Sequence, residues 1–382
     1  MKKNIVLASC LVASFAAQAQ SSVTLYGIFD EGVDYTSNVE GHSAWQMTSG
    51  YAQGSRWGLK GTEELGSGWK TLFTLENGFN GSNGTLGQGG RMFGRQAFVG
   101  LGNATYGTVL LGRQYDSVVD YLGPLTANGS WAGYLFAHPL DNDNTDNTFR
   151  ANNTVKYTSP NVGGFHFGGT YGLSNQSNFA ANRLYSLGVG YAWNGLSASA
   201  AYLKANNPGA SADGALASGA TSFVASSLEI YGVGAKYNFA SATLAASYTH
   251  SSILNPAATG TQIFVGSIAS PGATITALRF NNFELNGTYY VRPDILLGAM
   301  YIFTQAEVEK TNGNSNLHYH TVGLMADYFI SKRTDVYIQG AYERVGGGKS
   351  GTVLDTAYVS GAAGVSSSMN QTVVRAAIRY KF

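Results

Sequence analysis

The last twelve residues alternate without a break. Val374, Ala376, Ile378, Tyr380 and Phe382 fall on one face; Arg375, Ala377, Arg379 and Lys381 fall on the other. A period of two with one wholly apolar face makes a β-strand whose apolar side lies against a core or in lipid. Residues 283–292 repeat the pattern, with Phe283, Leu285, Gly287, Tyr289 and Val291 opposed to Glu284, Asn286, Thr288, Tyr290 and Arg292. Sixteen strands are expected, at about 22–35, 55–63, 69–79, 93–102, 106–115, 153–159, 163–171, 184–193, 196–204, 228–239, 241–250, 282–292, 294–305, 319–331, 334–343 and 372–382. Glu31 violates the alternation, falling on the apolar face of the first strand.

The connections alternate in length. Short ones carry turn residues, such as Asn194-Gly195 and the Arg292, Pro293, Asp294 run. Long ones span about 36–54, 80–92, 116–152, 172–183, 205–227, 251–281, 306–318 and 344–370, and are rich in Gly, Ser, Ala, Asn and Thr. A water-soluble sandwich does not require such alternation. A membrane barrel does, with short turns on one side, long loops on the other and an even strand count. Composition agrees: 50 glycines, 24 tyrosines and 19 phenylalanines stand beside only 12% charged residues. The predicted fold is therefore all-β, a transmembrane antiparallel barrel of sixteen strands. In lipid it has to close, because an open edge leaves backbone groups unpaired. Sixteen strands leave an aqueous lumen, whereas about eight are filled by side chains.

The N-terminus reads as an export signal. Lys2 and Lys3 are followed by an apolar run from Ile5 to Ala16 and by Ala17, Gln18 and Ala19, a small-x-small cleavage site. Cleavage after Ala19 makes residues 20–382 one barrel domain. It also removes the only cysteine, Cys10, so the mature chain has no disulfide or thiolate chemistry. The mature charge is 21 basic residues (23 less Lys2 and Lys3) against 22 acidic, which gives no reason to expect a nucleic-acid partner. His318 and His320 share a strand face, but no third ligand accompanies them; neither a metal nor another cofactor is expected. Gly346 to Lys349 lacks the spacing of a phosphate loop, no nucleophile motif is present, and no enzymatic activity is expected.

Several motifs resemble the trimeric general-diffusion porins of the Gram-negative outer membrane. They are Ser22 to Gly27, Ser55 to Gly66, Arg95 to Leu101, Tyr106 to Arg113, Arg150 to Pro160 and the terminal Phe382. In order and spacing they cover essentially the whole mature chain. The resemblance implies an integral outer-membrane homotrimer surrounded by lipid and lipopolysaccharide. Each barrel would pass ions and small hydrophilic solutes by passive diffusion. It also implies that the third outer loop, here 116–152, folds inward and narrows the channel. Wall arginines would face acidic residues there.

Carried over by motif, the arginine ladder is Arg56, Arg95 and Arg150. Strand parity adds Lys60, and Arg113 is expected to point inward beside Tyr115. Glu76 matches an acidic lumen position. The enteric Pro-Glu-Phe-Gly-Gly loop tip is replaced by residues 127–133, which hold no acid. The acidic side is therefore sought in Asp116 and Asp120, or in Asp141, Asp143 and Asp146. The plainer role for each of these is a solvated wall residue or a local ion pair. Opposed charges at a narrow point bias ion selectivity, and a slight anion preference is expected. Two alternatives stay open. One is a substrate-specific channel using Trp131, Tyr134 and Phe136; the other is an adhesin or receptor using loops 205–227 and 251–281.

Overall fold

The computed structural model describes residues 22–258, 268–270 and 272–382. The expected leader lies outside them. Seventeen strand segments follow in order: β1 (Ser22–Val39), β2 (His42–Ser49), β3 (Arg56–Gly66), β4 (Trp69–Gly78), β5 (Gln96–Asn103), β6 (Gly107–Gln114), β7 (Ala151–Thr158), β8 (Phe165–Gly172), β9 (Leu184–Trp193), β10 (Leu196–Asn206), β11 (Ser227–Asn238), β12 (Ala242–Leu254), β13 (Ile275–Arg292), β14 (Ile295–Lys310), β15 (Ser315–Phe329), β16 (Thr334–Gly347) and β17 (Asn370–Lys381). Neighbours in sequence pair antiparallel, and β17 returns to β1. Ser22–Ile28 of β1 pair with β3, whereas Glu31–Val39 of the same strand pair with β2. Thus β2 and β3 share one place in the wall, interrupted at 50–55, and the sheet is a closed barrel of sixteen strand positions.

All sixteen expected strands are present. Those beside long loops run further than expected, since nothing obliges a strand to stop at the membrane surface while its hydrogen bonds continue. β13, for instance, has 18 residues, against the roughly 9–11 that cross a bilayer. β2 lies in a stretch expected as loop, although Trp45 and Met47 alternate there with Gln46 and Thr48.

Burial is inverted relative to a soluble protein. Leu187, Leu244, Leu285 and Leu324 are 60–63% exposed on the outer face, whereas Asn282, Glu284, Gln339 and Arg375 are buried on the inner one. Only lipid makes such an outer face stable in place. Glu31 does sit among the apolar outer residues. Its Oε1 accepts a hydrogen bond from Ser82 and its Oε2 lies against Gly81, in the connection after β4.

Turn chemistry follows the sequence. Asn194 and Gly195 join β9 to β10 with φ of 45° and 85°, the paired left-handed conformation that a two-residue hairpin needs. At the closing seam, Gly27 and Phe382 exchange backbone hydrogen bonds of 3.0 and 3.1 Å. The fully buried Arg375 binds Asp30 at 3.0 Å and Asp34 at 2.9 Å across that seam.

The segment between β6 and β7 packs on inner-face residues. Tyr121 lies against Gly188, Trp131 against Gly298, and Phe136 against Gly323. A Cβ at any of these glycines would come within 2.2–2.6 Å of an aromatic ring. Ala127 N donates to Glu284 at 2.7 Å, and Trp131 Nε1 donates to Asn286 at 3.1 Å. Connections from farther along the chain pack beside it, with Leu216, Phe223 and Leu354 joining a core that includes Leu140 and Phe149.

Candidate functional site

Arg56, Arg95 and Arg150 meet around a polar cavity of about 500 Å³. They come from three elements. Arg56 begins β3, directly after the interruption of the wall, and its Nε donates to Gly54 O at 2.8 Å. Arg95 precedes β5 and pairs with Glu76 of β4 at 2.8 Å. Arg150 precedes β7, and its guanidinium binds Asn147 Oδ1 at 2.5 Å and Thr148 O at 3.3 Å. Tyr115 stands between the last two: its hydroxyl accepts from Arg95 at 2.9 Å, and its ring lies 5.3 Å beneath Arg150. Glu76 also accepts from Tyr26 at 2.9 Å. Lys60 follows on the same face of β3, over the Tyr26 ring at 5.2 Å.

Arg113 does not join them. Its guanidinium donates to Gly94 O at 2.8 Å, to Arg150 O at 3.2 Å and to Asn152. Against β5 it stays in register with the exposed Val109 and Leu111. Against β7 the register slips between Gly112 and Gln114, with Gly112 at φ 138°. Arg113 ties the two wall strands to the segments that carry Arg95 and Arg150.

The acidic candidates separate in the same way. Asp116 is fully buried as the N-cap of the short helix Ser117–Tyr121, accepting from Val118 N at 2.7 Å and Val119 N at 3.3 Å. Burial and the neighbouring Asp120 push its carboxyl up to about 6. Asp120 pairs with Lys156 of β7. Asp141 is buried under its own turn and accepts from the backbone of Asp146 at 3.0 Å and Thr148 at 3.1 Å. Burial and Asp143 raise it to about 6.

Asp143 is bound by His138 at 2.6 Å, and His138 reaches Glu284 of β13 at 2.9 Å with its other nitrogen. Burial pulls the imidazole down, but the two carboxylates outweigh it and hold it up to about 10. It is therefore an imidazolium clasped between two carboxylates. Of the loop acids only Asp146 lines the arginine cavity, since the exposed Asp120 is taken up by Lys156. Burial and Asp141 raise its carboxyl well above the usual range, opposed by Arg150 and Arg95. The site thus has three arginines against Glu76 and Asp146.

Sequence reasoning expected Tyr115 to point inward but did not set it between Arg95 and Arg150, and it did not find the 50–55 interruption that holds the loop tip. There Tyr51 O accepts from Tyr134 N at 2.8 Å, and Gly133 passes so close to Tyr51 and Ala52 that a Cβ would fall 2.0 Å from the Tyr51 carbonyl. Trp131 and Phe136 do not form a path-lining ladder. They pack edge to face at 5.5 Å against the wall, and only Tyr134 borders the cavity.

A family model described as Gram-negative porin matches residues 6–348. The chain belongs to the Gram-negative porin family. An outer membrane porin protein of Bordetella pertussis is 32% identical, over 90% of this chain and 94% of that protein. The outer membrane porin protein 32 of Delftia acidovorans is 37% identical over 46% of this chain. Among solved structures, an anion-selective porin from Comamonas acidovorans is similar at TM-score 0.70 and 26% identity, covering 95% of this chain and all of that one. This chain is accordingly an integral outer-membrane porin, and its barrel is a water-filled channel for small hydrophilic solutes.

Proposed function

We propose that residues 116–150 narrow the channel and that the narrowest point favours anions. The supporting observation is the charge count at the cavity: Arg56, Arg95 and Arg150 stand against Glu76 and Asp146, while the other loop acids are engaged in capping, turns or ion pairs. A fixed surplus of positive charge in a narrow wet passage raises the local concentration of anions and lowers that of cations. Transport is passive diffusion without catalysis. The functional unit is a homotrimer in lipid and lipopolysaccharide, each barrel with its own pore. The printed description of the Comamonas relative as anion-selective supports the same sign.

Reconstitution into a planar bilayer tests this, with reversal potential read across a potassium chloride gradient. The potential should have the anion-selective sign, and conductance should step in threes. A cation-selective sign would overturn the charge reading. Saturation of current by one solute class at low concentration would favour the substrate-specific alternative.

A further inference from the structure

Three like-charged guanidinium groups in one cavity repel, and something has to hold them apart yet aimed at the same space. Arg95 is fenced on three sides. Its Nε is held by Glu76, one terminal nitrogen donates to the Tyr115 hydroxyl at 2.9 Å, and the other lies against Gly54, where a Cβ would sit 2.8 Å away. Arg150 lies over the face of the same tyrosine. Tyr115 thus touches two of the three cations, holding Arg95 through its oxygen and Arg150 through both oxygen and ring.

We propose that Tyr115 is the positioning residue that sets anion selectivity, by holding the charge of Arg95 out into the passage. The inference rests on the anion-preferring reading above. Without the hydroxyl, the freed nitrogen of Arg95 has a carboxylate at hand. Glu76 holds Arg95 through Oε1 and spends Oε2 on Tyr26. Guanidinium and carboxylate favour a two-point contact. Arg95 then turns along the wall into a bidentate pair with Glu76, and its charge is neutralised there. Arg150 loses its hydroxyl contact as well but keeps the face of the ring, so the cavity keeps its shape while its field weakens.

The experiment compares wild type, Tyr115→Phe and Arg95→Gln in planar bilayers. Reversal potential is read in a salt gradient, and conductance at low and at high salt. Fixed charge acts over about 10 Å at 0.1 M salt and about 3 Å at 1 M, so a field effect appears at low salt and fades at high salt. A change of bore alters both. In Tyr115→Phe the reversal potential should move from the anion-selective side toward zero, and low-salt conductance should fall. High-salt conductance and the size cut-off for neutral polymers should stay at the wild-type values. Tyr115→Phe indistinguishable from wild type, where Arg95→Gln does lose anion preference, overturns this role and leaves the anion reading standing. A wild-type channel without anion preference, or Arg95→Gln without effect, overturns the anion reading itself. A changed polymer cut-off in Tyr115→Phe also overturns the proposal, because the tyrosine then acts by shape.

Discussion

At the scale of single residues, the site is sorted by what each charge already holds. Arg95→Ala with Arg150→Ala removes two of the three cations at the cavity, and reversal potential should move toward cation selectivity. Asp146 gives a pH dependence whose sign follows from its raised carboxyl. As pH falls, it takes up its proton before an ordinary aspartate near 3.9 does. One negative charge is lost beside the arginines, and anion preference rises. Asp146→Asn should show the raised preference wherever the wild-type carboxyl is ionised, and should lose that part of the titration.

His138 is a matter of stability. Its folded value of about 10 lies above the ordinary value near 6.5. Its contribution is therefore complete below about 6.5 and is lost as pH rises through about 10. Asp143 is lowered by His138 despite its burial, so its share persists above the ordinary aspartate range and is lost at acid pH. Removing the imidazole strands two buried carboxylates, a change that typically costs about 3–5 kcal/mol. The melting temperature of His138→Ala should accordingly fall furthest below wild type near pH 6 and converge with it above about pH 10.

At the scale of elements, the loop between β6 and β7 is held by shape as much as by charge. Gly298 and Gly323 are hollows in the inner wall that receive Trp131 and Phe136. Alanine at both would push the rings out; rotating them away cannot suffice when the added carbons lie 2.3 and 2.6 Å from ring atoms. Single-channel records of Gly298→Ala with Gly323→Ala should show enlarged current noise from an unseated loop, with the barrel still folded. An unchanged record would mean that the hydrogen bonds to Glu284 and Asn286 suffice to hold it. The interruption at 50–55 belongs to the same device. A continuous wall strand would keep its backbone in the sheet, whereas here Tyr51 lends its carbonyl to the loop tip.

For the molecule as a whole, closure is the event on which everything rests. The seam joins the two ends of the chain, and Arg375 crosses it to Asp30 and Asp34 with Tyr337 alongside. Arg375→Met should lower the melting temperature strongly, with a cost of about 3–5 kcal/mol, because two carboxylates are left without their cation. Arg375→Met with Asp30→Asn and Asp34→Asn should recover most of the loss, since no unpaired charge then remains. Failure of that recovery would show that the cation itself, and not the stranded acids, matters at the seam.

The alternation of residues 371–382 and 283–292, and the rhythm of short and long connections, were enough to specify a sixteen-stranded membrane barrel. Period two is imposed by the strand itself, and each strand announces it locally. Arg56, Arg95, Arg150 and Glu76 came from the motifs shared with the porins rather than from the period of two, which added Lys60. Strand parity misplaced Arg113, which stays in register with the exposed Val109 and Leu111 against β5 and is taken up by Gly94, Arg150 and Asn152. It was also silent on which aspartates face the channel. Asp116, Asp141, Asp143 and Asp146 look alike in sequence, and their partners are a helix end, a turn, a histidine bound to a distant strand and the arginine cavity. Those partners come together only when the loop meets the closed wall, so the charge that remains facing the passage was decided by the tertiary structure.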